Sequence, residues 1–389
     1  MTIIGTRPEI IRLSRVMDLL DEVVNHVIVH TGQNYDYELN EIFFNDLRLR
    51  KPDYFLNVNT STLGKVLGET LIKTEEILLK ERPDAVLILG DTNSSISGII
   101  AKRLKIPIYH MEAGNRCFDF NVPEEINRRI IDHIADFNLV YTENARRHLL
   151  SEGLPHRQIY LTGSPMFEVI NNFKENILNS KILEKLDLKK AEYFLVSVHR
   201  EENVDNQENL AKILTFLNQL AAIYNKRIII STHPRTKKRI DVLANTEMSN
   251  LVEFNKPFGF FDFVQLEINA ICTISDSGTI SEESAILNFP AVTIREATER
   301  PESLDCGTIT LTGLDCDTLL DSIQLAIKES KEKVPRQIPK EYEISNTSWR
   351  VVKLIIGTAK LISKWENINL DHSKIKSVDC KNNIRDFGN

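Results

Sequence analysis

Acidic side chains follow three predicted elements in the first half of the chain. Asp91 comes shortly after the apolar run 85–89, Glu112 closes the run 108–112, and Glu124 opens a helical segment. Because ligands of parallel sheets bind at the carboxyl ends of strands, we expect these carboxylates at one edge of a sheet. Carboxylates gathered together are typical of proton-transferring groups, since each perturbs the pKa of the others. Proton transfer is the chemistry that this edge predicts, although each acid alone would also suit a helix N-terminus.

Basic side chains follow other predicted strands. Arg7 lies in the turn 5–9 after the first strand, and Arg12 lies further along the helix that starts there. His199 and His233 each follow a strand in the second half. Together these groups predict a positive, titratable surface facing the carboxylates. Taken singly, each would also fit as a surface arginine or a hydrogen-bonded core histidine.

A strand–turn–helix segment in the second half is suited to phosphate. Ser277, Gly278 and Thr279 combine hydroxyls, backbone N–H groups and the positive end of a helix, although a plain N-cap has the same pattern. Arg295 and Arg300 follow the next predicted strand. There is neither a Walker loop nor a G-x-G-x-x-G turn, which disfavours ATP and NAD.

Composition bounds the class of protein. The 389 residues include 48 Lys and Arg against 55 Asp and Glu, a formal net charge of −7. The length predicts two domains, and the acidic balance argues against non-specific nucleic-acid binding. No run approaches the roughly 18 apolar residues of a membrane span, and charged residues stand where a signal peptide is apolar. The five cysteines form no C-x-x-C pair, so we expect free thiols in a reducing cytoplasm and no zinc site.

Short β-branched runs alternate with amphipathic stretches, which is typical of βα units and a parallel sheet. The predicted strands are 2–4, 26–31, 85–89, 108–112, 139–141, 194–198, 227–231, 270–274 and 291–294. The predicted helices are 8–20, 63–80, 95–104, 124–135, 145–151, 208–223, 277–287, 318–328 and 349–365. A polar stretch over 171–192 interrupts the rhythm, so we predict an α/β protein of two Rossmann-like domains.

A site with carboxylates on one side and cations with a phosphate turn on the other suits a nucleotide sugar. A proton on the sugar carbon beside the anomeric centre is not acidic, since no carbonyl activates it. It can leave only if the anomeric C–O bond breaks before it or together with it. Cations then stabilise the departing diphosphate, and carboxylates stabilise the sugar cation and take the proton.

The chain resembles the non-hydrolysing UDP-N-acetylglucosamine 2-epimerases over residues 1 to about 355. The motifs that carry the resemblance occur in family order: Gly5-Thr6-Arg7-Pro8-Glu9, Gly90-Asp91-Thr92, Glu112-Ala113-Gly114, Pro123-Glu124-Glu125-Ile126-Asn127-Arg128, Asp276-Ser277-Gly278 with Glu282-Glu283, and Thr298-Glu299-Arg300-Pro301-Glu302.

The resemblance implies a GT-B fold, with two Rossmann-like domains and their parallel sheets facing each other across a cleft. We expect the first domain at 1–165, the UDP-binding domain at 166–345, a helix crossing back at 346–366 and a polar tail at 367–389. The family's reaction is anti elimination of UDP to a 2-acetamidoglycal followed by syn re-addition. It needs no metal or redox cofactor. The resemblance also implies a cytoplasmic homodimer, bound neither to nucleic acid nor to membrane, that makes precursors of cell-envelope polysaccharides such as capsule or O-antigen.

By the resemblance, four residues are catalytic and eleven bind substrate. The catalytic set is Asp91, Glu112, Glu124 and His199. The binding set is Arg7, Arg12, Arg128, His233, Phe258, Phe263, Ser277, Gly278, Thr279, Glu283 and Arg300.

Departures from the family pattern concern the substrate. The segment 33–36 reads Gln-Asn-Tyr-Asp in place of the family's allosteric Gln-His-Arg, and Thr279 replaces a glycine. The stretch 115–119 reads Asn-Arg-Cys-Phe-Asp and the stretch 199–203 reads His-Arg-Glu-Glu-Asn. Together they resemble the subgroup that forms UDP-N-acetyl-L-fucosamine or acts on UDP-diacetamido-uronic acids. The sugar therefore stays open between these and the UDP-GlcNAc/UDP-ManNAc pair.

Three other functions share the fold. A GT-B glycosyltransferase would transfer the sugar to an acceptor, and a hydrolysing epimerase would release free sugar. A nucleotide-sugar-binding regulator would have lost catalysis, but the intact acids and His199 argue against it.

Overall fold

The computed structural model describes residues 1–32, 37–232, 236–237, 239–240 and 247–365. Its strands form two sheets, one of seven strands in the order β3-β2-β1-β4-β5-β6-β7 and one of six in the order β10-β9-β8-β11-β12-β13. The first sheet contains β1 Thr2–Ile4, β2 Ile28–His30, β3 Tyr54–Phe55, β4 Val86–Leu89, β5 Ile108–Ala113, β6 Phe137–Val140 and β7 Ile159–Leu161. The second contains β8 Tyr193–Ser197, β9 Arg227–Ser231, β10 Val252–Asn255, β11 Thr273–Ser275, β12 Ala291–Thr293 and β13 Thr310–Leu311.

Every pairing in both sheets is parallel, which confirms the predicted α/β class. The described α-helices begin with α1 Arg7–Val23, α2 Tyr37–Asp46, α3 Leu63–Glu81, α4 Ser97–Arg103, α5 Pro123–Ile134 and α6 Glu143–Ser151. They continue with α7 Met166–Asn172, α8 Lys174–Leu178, α9 Ile182–Lys185, α10 Glu201–Val204, α11 Gln207–Tyr224 and α12 Phe260–Asn269. The last are α13 Ile280–Leu287, α14 Pro301–Asp305, α15 Cys316–Glu332, α16 Thr347–Thr358 and α17 Ile362–Trp365.

Four strands were missing from the sequence prediction: β3, β7, β10 and β13. Each lies at or near a sheet edge and has only two to four residues, too few to show a period. The strand predicted over 270–274 starts later, at Thr273, because Ala270 caps α12. The stretch 171–192 interrupts the alternation of strands and helices as predicted, since no strand lies between β7 and β8. It is nevertheless folded, because it contains α8 and α9, whose Ile177 and Ile182 are buried.

Helix α1 starts immediately after β1 for a local reason. Thr6 and Glu9 form a capping box, and Pro8 stands at the first turn, where its missing N–H costs nothing. The start of α1 therefore holds Arg7 and Arg12 at the carboxyl end of the first sheet.

One hydrophobic core joins the two halves of the chain. Ile10 and Leu13 of α1 belong to the same buried cluster as Val264 of α12 and Val351 of α16. The hydroxyls of Tyr109 and Thr358 lie 2.6 Å apart, so α16 packs back on the first sheet. The helix predicted over 349–365 is two helices, α16 and α17.

Among the described helices, none is long and apolar enough to cross a membrane.

Candidate active site

The backbone is strained where β4 and β5 end. Glu112 has φ of +64°, a left-handed conformation that costs a non-glycine residue roughly 1–2 kcal/mol. The register of β5 against β6 shifts between Met111 and Ala113 at the same place. Gly90 and Gly114 are also left-handed, and a Cβ on Gly114 would lie 2.4 Å from the Ala145 carbonyl oxygen. Such strain concentrates at functional sites.

The carboxylate of Glu112 lies between two arginines. Arg12 Nη1 donates to Glu112 Oε2, and Arg300 Nη2 donates to Oε1 at 2.7 Å. Burial favours the neutral carboxyl, but the two guanidinium groups outweigh it and lower the pKa of Glu112 below its ordinary value. Glu112 is therefore ionised, and it binds the guanidinium groups of Arg12 and Arg300.

A second buried carboxylate completes this cluster. Glu282 Oε2 lies 3.2 Å from Arg12 Nη2 and 3.3 Å from Arg300 Nη1, and Glu282 also accepts from Ser164 Oγ. Arg12 comes from α1 and Arg300 precedes α14, so the four charges link the two halves. The Nε–H groups of both arginines are buried and have no hydrogen-bond partner among the described residues. Each arginine therefore keeps one donor that no described protein group satisfies.

Asp91 is paired with a different arginine. Arg128 of α5 donates to Asp91 Oδ2 from Nε at 2.9 Å and from Nη2 at 2.6 Å. Asn127 donates to the Asp91 backbone carbonyl at 2.9 Å, which fixes the loop after β4 on the same helix. Buried Glu125 holds Arg128 from its other side at 3.0 Å.

Glu124 differs from the other two acids. Burial raises its pKa above the ordinary range, and the negative charge of Asp91 raises it further. Glu124 thus has the environment of a group that holds a proton, and the neighbouring carboxylate of Asp91 is paired with Arg128.

His199 follows β8 and is ordered by Asp276. The Asp276 carboxylate accepts from the His199 backbone N–H at 3.1 Å and lies 3.2 Å from the ring Nδ1. It also accepts from the Arg200 backbone N–H and the Asn203 side chain, each at 3.0 Å. The His199 ring is half exposed, so it can meet a ligand.

The phosphate turn is compact. Ser277 Oγ lies 2.8 Å from Thr279 Oγ1 and accepts from the Thr279 N–H at 3.3 Å. Gly278 lies against Glu299, whose Oε1 would be 2.8 Å from an added Cβ. Glu299 is held by Arg295 at 2.5 Å, so it has little freedom to move and a side chain at position 278 has no room.

The remaining predicted residues have varied surroundings. Burial raises the pKa of Glu283 to about 7. The guanidinium of Arg7 lies 5.8 Å from the centre of the Phe43 ring. Phe258 and Phe263 pack against a buried cluster that contains Leu266. His233 and the segment 33–36 lie outside the described residues.

The sequence predicted carboxylates on one side of the site and cations on the other, but the structure intermixes them. Arg12 and Arg128 come from the first half, while Glu282 and Glu299 come from the second, and each cation is paired with an acid. Repulsion between buried like charges makes this alternation the stable arrangement.

Sequence reasoning missed Glu9, Asp276 and Glu282 as parts of the site. Glu9 accepts from Thr92 Oγ1 at 2.6 Å and from the Thr6 N–H at 2.8 Å, so it connects the loops after β1 and β4. The spacing of Thr6 and Glu9 indicates the capping box of α1, but it gives no sign of the contact between Glu9 and Thr92. In the part of the chain that the structure describes, no three His, Cys, Asp or Glu side chains could hold a metal ion together.

Comparison with known proteins identifies relatives over nearly the whole chain. Residues 19–356 match the family model described as UDP-N-acetylglucosamine 2-epimerase. A UDP-N-acetylglucosamine 2-epimerase of Methanococcus maripaludis is 38% identical over 92% of this chain and 98% of its own. The structure of the Rickettsia bellii UDP-N-acetylglucosamine 2-epimerase matches with a TM-score of 0.87 and 46% identity, over 93% of this chain and 97% of that one.

Two further relatives carry information on ligands. The Methanocaldococcus jannaschii UDP-GlcNAc 2-epimerase, solved with UDP-GlcNAc and UDP, matches with a TM-score of 0.86 and 35% identity over 92% of this chain and 99% of its own. The UDP-2,3-diacetamido-2,3-dideoxy-D-glucuronate 2-epimerase of Pseudomonas aeruginosa is 33% identical over 84% of this chain and 92% of its own.

Proposed function

The chain belongs to the family of UDP-N-acetylglucosamine 2-epimerases, and we propose that it inverts C2 of a UDP-N-acetylhexosamine by the non-hydrolysing route. The observation that carries the proposal is the contrast among three acids at one sheet edge. Glu112 is ionised between two arginines, Asp91 is paired with Arg128, and Glu124 has a raised pKa.

The reaction divides into two steps. In the first, the C1–O bond breaks, its electrons leave with UDP, and a carboxylate takes the C2 proton to give a 2-acetamidoglycal. In the second, C2 receives a proton on the opposite face and the diphosphate oxygen attacks C1 again. Atoms balance without a co-reactant, because the same UDP leaves and returns.

The residues of the site have complementary roles in these steps. Arg12 and Arg300 supply unpartnered buried N–H donors for the diphosphate, with Ser277 and the half-exposed His199 beside it. Asp91 and Glu124 exchange the C2 proton, since Asp91 is paired with an arginine and the raised pKa of Glu124 suits it to hold a proton. Glu112 stabilises positive charge on the sugar and holds the arginines.

The division of the chain into domains is part of the same proposal. We propose residues 1–165 and 166–345 as two Rossmann-like domains that each supply one side of the site, with 346–366 crossing back. We also propose a cytoplasmic homodimer that serves cell-envelope polysaccharide synthesis, as the family resemblance implies.

The UDP-GlcNAc/UDP-ManNAc pair is the first candidate substrate. The UDP-diacetamido-uronic acid and UDP-N-acetyl-L-fucosamine series are the alternatives, supported by the 33% identity to the Pseudomonas aeruginosa enzyme and by the stretch 115–119. In this stretch Phe118 is exposed and packs near Arg129, so it is available to a substrate.

The deciding experiment incubates the protein with each UDP-sugar in D2O and follows C2 by NMR. Deuterium at C2 with inversion, and with UDP still attached, supports the proposal. Free sugar and UDP as the sole products would indicate the hydrolysing reaction. Absence of exchange with every UDP-sugar until an acceptor is added would favour a glycosyltransferase.

A further inference from the structure

A buried histidine lies between the strand ends that carry two of the site's acids. His110 on β5 is fully buried. Its Nε2 lies 2.8 Å from the Gly90 carbonyl oxygen, and its Nδ1 lies 2.9 Å from Asp132 Oδ1 on α5. Both ring nitrogens thus have a hydrogen-bond partner, and both partners are oxygen acceptors.

These two acceptors determine the protonation of the ring. A neutral imidazole carries one N–H, so it can donate to only one of two acceptors. A backbone carbonyl has no proton to give. Asp132 stays ionised, because its carboxylate also accepts from Arg116 Nη1 at 2.7 Å and from the Gly114 N–H at 3.1 Å. Both hydrogen bonds of His110 therefore require an N–H on each nitrogen.

Three charged groups lie around the ring, two of them negative and one positive. Asp132 faces it from α5, Arg116 contacts the same carboxylate from the loop after β5, and Asp91 follows Gly90 on the loop after β4. Burial works against ionisation of Asp132, but its bonds and charge interactions with His110 and Arg116 outweigh burial and lower its pKa.

The same contacts hold both strand ends. Gly90 immediately precedes Asp91, and the Gly114 N–H that binds Asp132 lies just beyond Glu112. Gly90, Glu112 and Gly114 all have positive φ, at +72°, +64° and +80°. Backbone in these conformations persists where surrounding contacts hold it.

We propose that His110, as a buried imidazolium, is a positioning residue that sets the Asp91 loop against the Glu112 loop through Gly90 and Asp132. This proposal rests on the proposed function, because positioning matters only if these acids act on the sugar. Because His110 is fully buried, it acts through the Gly90 carbonyl and the Asp132 carboxylate and not by contact with the sugar.

The first test compares His110→Gln and Asp132→Asn with wild type in the D2O exchange assay. Glutamine and asparagine keep the approximate size but remove one N–H or one charge. A displacement of about 1 Å at the acids costs on the order of 10²-fold in rate. We expect kcat to fall by that factor, while KM and the Kd for UDP change less than about threefold, since the arginines around Glu112 and Glu282 are untouched.

His26 provides the matched control. It is also a buried histidine, with Nδ1 2.6 Å from Asp21 and Nε2 2.8 Å from the Thr2 hydroxyl. It precedes β2 and therefore lies away from the carboxyl ends of the strands. His26→Gln should therefore leave kcat near that of wild type. A kcat of His110→Gln equal to that of His26→Gln would overturn the proposal.

The second test needs no activity. In wild-type protein with 15N-labelled histidine at pH 7.5, NMR should show His110 with hydrogen on both ring nitrogens, assigned by its loss in His110→Gln or its shift in Asp132→Asn. His26 should appear neutral, since the Thr2 hydroxyl can donate and burial lowers the His26 pKa to about 4. A neutral His110 would overturn the proposal even if His110→Gln fails to fold. An imidazolium in a protein that exchanges no C2 deuterium would instead count against the proposed function.

Discussion

Arg300 donates from Nη2 to Glu112 Oε1 at 2.7 Å, across 188 positions of sequence. Both side chains are almost fully buried. The bond joins the loop before α14 to the end of β5, so the ionised state of Glu112 depends on residues from both halves of the chain.

Replacing Glu112 by Gln should both inactivate and destabilise the protein. Arg12 and Arg300 would then face each other with one fewer compensating charge, which costs about 3 kcal/mol of unfolding free energy. Urea unfolding measures this loss, and the C2 exchange rate should fall on the order of 10²-fold. Glu184→Gln, which breaks a solvent-exposed pair with Lys181, is the control and should change neither quantity measurably. Full stability of Glu112→Gln would contradict the ion cluster.

Replacing Asp91 by Asn should suppress C2 exchange on the order of 10²–10⁴-fold and leave UDP affinity within a few-fold. Asp91 contacts Arg128, whereas the donors that we assign to the diphosphate belong to Arg12 and Arg300. Exchange is read by NMR in D2O and UDP affinity by calorimetry. Asp18→Asn, at a surface pair with Arg15, is the matched control. Wild-type exchange in Asp91→Asn would remove Asp91 from the catalytic set.

Replacing Gly114 by Ala should destabilise the fold by more than about 2 kcal/mol. The added Cβ would lie 2.4 Å from the Ala145 carbonyl oxygen, at a φ of +80°. Gly68→Ala tests the same chemistry in α3, where nothing lies within 4 Å of the new Cβ. That variant should gain about 0.5–1 kcal/mol. Thermal unfolding of the two variants should therefore shift Tm in opposite directions.

The stability of the protein should fall as pH rises through neutrality, partly because of Glu9. Burial raises the Glu9 pKa to about 7, although hydrogen bonds from Thr92, Gly5 and Thr6 oppose the rise. The folded state therefore binds a proton more tightly than the unfolded state. The stabilisation is complete below about pH 4.5 and is lost as pH rises through about 7.

Glu9→Gln tests this assignment. Its free energy of unfolding, measured in urea from pH 5 to pH 8, should fall less steeply than that of wild type. Glu76→Gln, on the exposed face of α3, should keep the wild-type slope. An unchanged slope in Glu9→Gln would show that Glu9 ionises alike in the folded and unfolded states.

The sequence by itself determined which residues lie at strand ends, because the apolar and turn residues around each position predict where a strand stops. Alternation of β-branched and amphipathic segments predicted the parallel sheets, and the Thr6–Glu9 spacing encoded the cap of α1. The same local patterns predicted the positions of the acids at 91, 112 and 124 and of the turn 277–279. Short edge strands such as β3 could not be predicted in this way, since two residues carry no period.

Tertiary structure alone decided what each acid does. The pairing of Glu112 with Arg300, of Asp91 with Arg128 and of Asp132 with His110 joins residues far apart in sequence. Burial and the charge of the partner set the pKa of a carboxyl group, and neither can be derived from the residues next to it in the sequence. Three similar acids in the sequence therefore have three different electrostatic environments in the folded protein.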